Sequence, residues 1–333
     1  MYLRNYTDLK FLKTFFTPDR YSHDRIPQLD HRVAIVTGAN TGIGYATAVA
    51  LAAHGARVFM ACRSETKCNE AITKIREEIE QNYPHSRAAK EGPLLEFLQL
   101  DLNNISATQE SAKRFLDKGL PLHILINNAG IGASPFTLSA DGIEQMFAVN
   151  HLGHFVFTMA LLDRLKESQP SRIVVVSSMS HEISVEGGID LARINDETEG
   201  NINRYGRSKF ANILFTKALA RRLANERVYC NVVHPGIIDS QMSQGFYETL
   251  GAFKANILRM ITMAMAISKE KGALSSLYCA TSPEIESMDF RGKFFIQIAN
   301  EVNANPLTES VELQEKLWAF SEKLVEEKGE HAL

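Results

Sequence analysis

A tyrosine and a lysine in the segment YGRSK, Tyr205 and Lys209, lie four residues apart and could transfer a proton together. At that spacing in a helix both side chains lie on one face and reach the same site. A phenol with an ordinary pKa of about 10 is a poor base at neutral pH, but an adjacent ammonium stabilises the phenolate and lowers that pKa. Tyr205 is therefore a candidate acid/base. Such pairs are common by chance, so the assignment depends on the segments around them.

A glycine-rich segment, TGANTGIG, lies between the first apolar run and a helical stretch. Glycines have no Cβ, so this backbone can turn sharply and approach a pyrophosphate. The N–H groups and the dipole at the start of the following helix would stabilise the phosphate charge. In this setting the segment predicts dinucleotide binding, and the alternative is a tight turn without a ligand. The residues assigned to the dinucleotide are Gly38, Asn40, Thr41, Gly42, Ile43 and Gly44.

Short β-branched runs alternate with helical stretches from Arg32 to Asn300. The strand candidates are RVAIVTG, RVFMACR, LLEFLQLDL, HILINNAG, RIVVVSS, VYCNVVHPG and KFFIQIAN. Their near-continuous hydrophobicity indicates burial on both faces, as in a parallel sheet covered by helices. We predict an α/β fold with about seven strands in a doubly wound parallel sheet. No linker or change in composition divides the alternation, so a single domain is expected at residues 31–333, after an N-terminal arm or short amphipathic helix at residues 1–30.

The composition excludes several classes of protein. The 333 residues are 45% hydrophobic and 23% charged, which is typical of a globular chain with a sizeable core. The 36 basic and 39 acidic side chains leave a net charge of -3, so there is no excess of positive charge to bind nucleic acid. The four cysteines are scattered and do not form the pattern of a disulfide framework. We therefore expect a reducing, cytoplasmic environment.

Four histidines lie in or near the candidate segments, but none has metal-ligand spacing to cysteine or acidic residues. They are His151, His154, His181 and His234. We interpret them as packed or solvent-facing side chains and predict no metal site.

Two segments suit contact with a membrane surface, although neither is long enough to span a bilayer. Leu9, Leu12, Phe15 and Phe16 have helical spacing with basic residues between them, and the interrupting charges disfavour a signal peptide. The longest apolar run, residues 257–267, falls short of the roughly 20 residues that a spanning helix needs. For residues 1–16 the alternatives are a helix packed on the protein and a loosely held arm.

Several segments occur in the order found in short-chain dehydrogenases/reductases, and the chain resembles the retinol-dehydrogenase-like and WW-domain-oxidoreductase-like branch of that family. The segments are TGANTGIG, ACR, LINNAG, VNHLGHF, RIVVVSS and SKFANILF. The resemblance covers about residues 32–300. It implies a Rossmann-type fold and an oxidoreductase that interconverts an alcohol and a carbonyl with a nicotinamide cofactor.

The same resemblance implies four catalytic residues. Ser178 would hydrogen-bond the substrate oxygen and Tyr205 would protonate it. Lys209 would contact both the nicotinamide ribose and the tyrosine, and Asn150 would hold a water in the proton relay. All four positions match the family pattern. The neighbouring Ser177 is expected to point to the other face of its strand.

Further cofactor contacts follow from the resemblance. Asp101 and Leu102 follow the third strand, where the aspartate would hold the adenine amine. The LINNAG segment would back the adenine side and brace the sheet through Asn127, Asn128, Ala129 and Gly130. The alternative interpretation of these four residues is a polar strand end without a ligand. After the sixth strand, a turn would lie beneath the nicotinamide and contact its carboxamide through Pro235, Gly236, Ile237 and Ser240. Family members usually carry threonine at the Ser240 position, and serine keeps the hydroxyl but lacks the methyl that restricts χ1.

The end of the second strand favours NADP(H) over NAD(H). A carboxylate there usually accepts the free ribose 2′-hydroxyl, whereas a 2′-phosphate requires cationic donors. The strand ends at Cys62 and Arg63, and the first acid is Glu65. Arg63 is therefore placed to meet a phosphate. Lys67 is either a second contact or a solvated helix residue.

An apolar segment rich in Met and Phe, residues 240–268, lies where this fold places its substrate lid. We expect a lipophilic alcohol and its aldehyde or ketone as substrates, such as a retinoid, a steroid, a fatty aldehyde or a xenobiotic carbonyl. Cellular NADPH is kept reduced, which favours the reductase direction. The same side chains also suit a core, a membrane contact or a homodimer contact. Alternative functions are NADPH-dependent reduction of a C=C bond and a non-catalytic NADP-binding regulator or scaffold.

Overall fold

The structure, a computed structural model, describes residues 17–183, 187–238 and 266–329. Within these ranges eight strands form one sheet. They are β1 (Val33–Thr37), β2 (Arg57–Cys62), β3 (Leu95–Gln99), β4 (Ile124–Asn127), β5 (Ser171–Val176), β6 (Val228–Val233), β7 (Phe294–Ile296) and β8 (Asn300–Val302). Their order in space is β3-β2-β1-β4-β5-β6-β7-β8. Strands β1 to β7 are parallel and β8 is antiparallel to β7, which confirms the predicted single α/β domain with a doubly wound sheet.

Helices cover both faces of this sheet. They are α1 (Gly42–Ala53), α2 (Glu65–Asn82), α3 (Arg87–Glu91), α4 (Ile105–Leu116), α5 (Gln145–Phe147), α6 (Gly153–Glu167), α7 (Asn201–Arg222), α8 (Lys269–Thr281), α9 (Glu284–Ser287) and α10 (Val311–Gly329). A π-helical segment, Ala148–Leu152, joins α5 to α6. Short 3-10 turns occur at His23–Arg25, Met179–Glu182 and Pro306–Glu309.

Alternate residues of each strand face two separate apolar clusters. In β1, Val33 and Ile35 join the cluster that includes side chains of α4, α6, α7 and α10. Ala34 and Val36 join the other cluster, with side chains of α1, α2 and α8. Burial on both faces explains why the strands are apolar at nearly every position.

The order of the strands creates the crevice in which a ligand can bind. The chain leaves β1 for β2 and β3 on one side, then crosses to β4 on the other side of β1. In such sheets ligands bind beyond the carboxyl ends of the strands, where the order reverses. The glycine-rich turn follows β1 and the LINNAG segment ends β4, so both candidate segments meet at this point.

One strand candidate differs from its predicted form. KFFIQIAN contains β7 and the start of β8, because Ala299 takes a left-handed backbone with φ of 61° and the chain folds back as a hairpin. The connection between α2 and β3, residues 83–94, contains α3. The Ser86 hydroxyl caps α3 by accepting from Ala89 N at 3.0 Å, and Gly92 ends it with φ of 85°.

Residues 17–30 pack against the body of the domain. The Arg20 N–H donates to the Ile298 carbonyl at 3.2 Å, and the Leu29 N–H donates to the His54 carbonyl at 2.8 Å. The part of the N-terminal segment predicted to be amphipathic, residues 1–16, lies outside the described residues, as do residues 239–265 of the predicted lid. Among the residues that the structure describes, no helix is both long and apolar enough to cross a membrane.

The close approach of α6 to the loop after β3 gives a test of the fold. A Cβ at Gly153 would lie 2.6 Å from the Leu102 carbonyl oxygen. This oxygen belongs to the backbone, so relieving the clash would require the loop after β3 or α6 to shift. We expect Gly153→Ala to lower the free energy of unfolding by about 1–3 kcal/mol, measured by urea denaturation. Gly200→Ala is the control, because a Cβ at Gly200 would meet no atom within 4 Å. Equal stability of the two variants would argue against tight packing here.

Candidate active site

The glycine-rich turn after β1 has room in front of it. Gly38 has φ of 66°, and a Cβ at this position would lie 3.0 Å from the Ala129 Cα, so the turn packs directly on the end of β4. Gly42 also has a positive φ, of 58°, but a Cβ there would meet no atom of the described residues within 4 Å. The first glycine is therefore required by the protein's own packing, whereas packing among the described residues does not require the second.

The start of α1 is free to bind an anion. Its N-cap residue, Thr41, makes no side-chain capping bond, and the first turn contains no acidic residue. By contrast, the N-terminal N–H groups of α2, α3, α4 and α8 are each capped by a serine or asparagine side chain. Uncapped N–H groups next to open space fit the charge and shape of a pyrophosphate.

Thr37 joins the ends of β1 and β4, a role that the sequence analysis missed. Its Oγ1 accepts the N–H groups of Asn128 at 2.9 Å and Ala129 at 2.8 Å, and the Asn128 amide donates to the Thr37 carbonyl at 2.8 Å. With both lone pairs occupied, the Thr37 hydroxyl is left to donate, and His154 Nε2 lies 2.9 Å away. The threonine and the histidine both lie within recognised motifs, but nothing in their spacing connects them.

The Asn150 carbonyl determines the tautomer of His154. Because a carbonyl oxygen can only accept, Nδ1 carries the proton and donates to it at 3.1 Å, and Nε2 is left to accept from the Thr37 hydroxyl. Burial lowers the His154 pKa to about 4, so the ring is neutral at physiological pH. The histidine therefore connects the β1–β4 junction to the helix that carries Asn150.

Asn150 lies in the π-helical segment that joins α5 to α6. The wider turn is typical of functional sites. The Asn150 side chain pairs with the backbone of Ile131, accepting from its N–H at 2.8 Å and donating to its carbonyl at 3.0 Å. It also donates to Ser208 Oγ at 3.0 Å, and Ser208 in turn donates to the Tyr205 carbonyl at 2.7 Å. Asn150 thus links the loop after β4 to α7.

Tyr205 and Lys209 lie on the same face of α7, in the buried site that contains Asn150. Lys209 is 3% exposed, and its ammonium lies 5.7 Å from the centre of the Tyr205 ring. The ammonium donates to the Val176 carbonyl at 3.1 Å, at the end of β5. A Cβ at Gly130 would lie 2.9 Å from Asn150 Oδ1 and 3.4 Å from Lys209 Nζ, so Gly130 also borders the site.

Ser178 caps the 3-10 turn after β5. Its Oγ accepts from the Ser180 N–H at 3.1 Å and lies 3.2 Å from Ser180 Oγ. The turn packs against α7, because a Cβ at Gly206 would lie 2.7 Å from the Ser180 carbonyl oxygen. The neighbouring Ser177 donates instead to the Lys209 carbonyl at 2.7 Å, so its hydroxyl holds the backbone of α7. The turn that carries Ser178 therefore lies beside the residue that follows Tyr205.

The residues predicted for the adenine side lie at the ends of β2 and β3. Arg63 is exposed immediately after β2. Asp101 is half-buried, and its carboxylate accepts from the Asn103 N–H at 3.0 Å. Leu102 is buried against Gly153.

The residues predicted for the nicotinamide side follow β6. Pro235 is buried, and Gly236 has φ of 96° and lies against the Gln297 side chain. Ile237 is half-buried, and its carbonyl accepts from the Ile267 N–H at 2.9 Å. Ser240 lies outside the described residues.

A buried ion pair beside Tyr205 was also missed. Arg204 Nε lies 3.7 Å from Glu144 Oε1, and both side chains are at most 3% exposed. Arg204 also donates to the Ser134 carbonyl at 3.2 Å, and its guanidinium lies over the Phe136 ring. Burial raises the pKa of Glu144, whose carboxylate also accepts the N–H groups of Met146 and Phe147. The network attaches the loop after β4 to α7.

A model of the short chain dehydrogenase family matches residues 32–191 and 193–251. The chain is a short chain dehydrogenase. It is 38% identical over 302 residues to retinol dehydrogenase 14 of Mus musculus, an alignment that covers 90% of this chain and 87% of that protein. It is 36% identical to the WW domain-containing oxidoreductase of Pongo abelii, with 89% and 69% covered. The chain is also similar to the crystal structure of a protein from Mycobacterium Paratuberculosis, with 30% sequence identity and a TM-score of 0.69. The match covers 92% of this chain and 97% of that protein.

These relatives confirm the predicted family and its retinol-dehydrogenase-like branch. The dehydrogenase is an oxidoreductase that acts on CH–OH and C=O groups. Members of this family use a nicotinamide cofactor. The open, uncapped turn after β1 fits the pyrophosphate of such a cofactor.

The burial of Lys209 predicts how the stability of the cofactor-free dehydrogenase changes with pH. Burial lowers the Lys209 pKa to about 8. An unfolded chain keeps this proton up to a pKa of about 10.4, so between the two values it binds more protons than the folded chain. The contribution of Lys209 to the free energy of unfolding therefore rises with pH in this window.

We expect Lys209→Met to remove this rise, measured by urea denaturation of both proteins at pH values on either side of 8. A matched control is Lys217→Met, which removes a lysine of the same helix whose ammonium pairs with Glu309 at 2.8 Å. The interpretation fails if Lys209→Met and the unmodified chain gain the same stability as the pH increases.

Proposed function

We propose that the dehydrogenase uses NADP(H) to interconvert a lipophilic alcohol and its aldehyde or ketone, and that it acts as a carbonyl reductase. One observation carries the proposal. A buried ammonium lies 5.7 Å from the centre of a tyrosine ring. The same ammonium donates to the end of β5, two residues before Ser178. A phenol supported in this way is suited to deliver a proton to a carbonyl oxygen as negative charge develops on it.

Each catalytic side chain has a separate task in this proposal. The Ser178 hydroxyl donates a hydrogen bond to the carbonyl oxygen and orients the substrate. Tyr205 transfers its phenolic proton to that oxygen, and the Lys209 ammonium stabilises the phenolate that remains. Asn150 holds the loop after β4 against α7 and is placed to support a water beside Lys209. The nicotinamide supplies the hydride when it is bound.

The choice of NADP(H) is supported by Arg63. The side chain is exposed immediately after β2, where the ribose of a dinucleotide lies in this fold, and the first acidic residue comes two positions later. A guanidinium is well suited to bind a 2′-phosphate, and it offers no acceptor to a 2′-hydroxyl. The phosphates of the cofactor would be held by the turn from Gly38 to Gly44.

An apolar substrate is supported by the surroundings of Tyr205. The tyrosine packs in a cluster with Ala133 and Met146, and Ile131 and Ile202 lie against it. Apolar walls around a few converging polar groups are typical of sites for lipophilic ligands. Relatives of the chain are named retinol dehydrogenases. A lid at residues 240–268, a cytoplasmic location, a peripheral membrane contact and a homodimer stay predictions.

The catalytic assignment is tested by Tyr205→Phe. We expect this change to lower the rate of carbonyl reduction at least ~100-fold, because the proton donor is lost, while the affinity for NADPH is unchanged. The rate is measured as loss of NADPH absorbance with retinal, steroid ketones and medium-chain aldehydes, and the product is analysed to separate C=O from C=C reduction. Tyr83→Phe, at the end of α2, is the control. Unchanged turnover in Tyr205→Phe would refute the assignment.

The cofactor assignment is tested by Arg63→Ser. Loss of a charge-assisted contact with the 2′-phosphate should weaken NADPH binding roughly 10-fold or more and leave NADH binding unchanged. Both affinities are measured by fluorescence titration. Arg76→Ser changes an exposed arginine of α2 and serves as the control. If Arg63→Ser weakens both cofactors equally, the arginine does not select the phosphate.

A further inference from the structure

The hydroxyl of Ser178, which is half-buried, donates to the buried hydroxyl of Ser180 at 3.2 Å. Ser180 is 5% exposed. Among the described residues, the Ser180 hydroxyl forms its hydrogen bond with Ser178 Oγ. We propose that Ser180 is a positioning residue that orients and polarises the Ser178 hydroxyl toward the substrate oxygen, an inference that rests on the proposed function.

The protons and lone pairs of the two hydroxyls allow this role. A serine hydroxyl has one proton and two lone pairs. The Ser180 N–H occupies one lone pair of Ser178 Oγ, at 3.1 Å. In this structure the Ser178 hydroxyl donates to Ser180 Oγ. When the Ser178 hydroxyl rotates to donate its proton to a substrate oxygen, its second lone pair is free to accept the Ser180 proton, and the bond between the two hydroxyls reverses. A hydroxyl that accepts two hydrogen bonds has a restricted χ1, and it becomes a stronger donor because hydrogen bonds in a chain polarise one another.

The backbone of the turn does not depend on the Ser180 hydroxyl. The His181 N–H donates to the Ser178 carbonyl at 3.1 Å, and the Ile183 N–H donates to the Ser180 carbonyl at 3.0 Å. The His181 ring adds a further bond. Its Nε2 accepts from the Asn305 N–H at 3.2 Å, so Nδ1 carries the proton and donates to the Ser178 carbonyl at 2.7 Å. Removal of the hydroxyl alone should therefore leave the turn in place.

Ser180 also lies against α7, the helix that carries Tyr205. Its carbonyl oxygen is the atom that a Cβ at Gly206 would approach to 2.7 Å, and Gly206 follows Tyr205 in α7. The backbone of Ser180 thus sets how closely the turn approaches α7, while its hydroxyl adjusts the donor on that turn. A serine kept only for packing would show the first property and not the second.

The experiment is a double-mutant cycle on the full chain with Ser178→Ala, Ser180→Ala and the two changes combined. The readout is the single-turnover rate of NADPH oxidation with a carbonyl that the unmodified chain reduces, together with KM for the carbonyl, NADPH affinity and the midpoint of thermal unfolding. The control is Ser111→Ala, which removes a buried hydroxyl in α4 that has no hydrogen-bond partner among the described residues. Ser180→Cys keeps a similar volume and a weak donor, and it serves if Ser180→Ala fails to fold.

We expect Ser180→Ala to slow the single-turnover rate about 3- to 10-fold, the effect of losing one neutral hydrogen bond, with NADPH affinity and the unfolding midpoint unchanged. The single-turnover rate of Ser180→Cys should lie between those of the unmodified chain and Ser180→Ala. In the Ser178→Ala background the second change should have no further effect on the rate, because Ser180 acts through Ser178.

Two results would overturn the inference. The first is an unchanged rate in Ser180→Ala. The second is an equal loss from Ser180→Ala with and without Ser178, which would indicate a structural role. Both leave the proposed function intact. If the unmodified chain oxidises NADPH with none of the carbonyls, the proposed function fails, and the role of Ser180 fails with it.

Discussion

The site depends on a lysine ammonium that is almost completely removed from water. Burial of an unpaired charge is costly, and it lowers the Lys209 pKa to about 8. The Val176 carbonyl at the end of β5 compensates part of that cost, and the position of this carbonyl is fixed by the sheet. The carbonyl belongs to β5 and the ammonium to α7, so this hydrogen bond forms only while the strand and the helix keep their relative position. The parallel sheet is thus a condition of the chemistry as well as of stability.

A series of hydrogen bonds connects the end of β1, where the glycine-rich turn begins, to α7. It runs from Thr37 through His154 to Asn150, then through Ser208 to the backbone of Tyr205. Every group in the series is buried, so each bond lies in a medium of low dielectric constant where its geometry is strongly enforced. Movement of the turn after β1 would therefore be transmitted to the backbone of Tyr205.

Much of this arrangement could be predicted from the sequence. The apolar strands are a local pattern that predicted the doubly wound fold, which the structure confirms. The spacing of Gly38, Gly42 and Gly44 is also local, and the dinucleotide site that it indicates stays a prediction. The second strand of the hairpin after β7 did not show in the hydrophobic pattern, because it depends on the left-handed conformation of one residue, Ala299. The bonds of Thr37 and the ion pair of Arg204 join residues far apart in the chain, so no spacing rule reveals them.

The start of α1 has a thermodynamic consequence. A helix whose first N–H groups lack a cap is less stable than its capped neighbours, and an anion that binds there supplies the missing acceptors. A ligand that binds the native but not the unfolded chain adds about 2.7 kcal/mol at a hundredfold excess over its Kd. A nucleotide bound at this turn would therefore raise the free energy of unfolding of the dehydrogenase, and the stability measured in solution would depend on the concentration of free nucleotide.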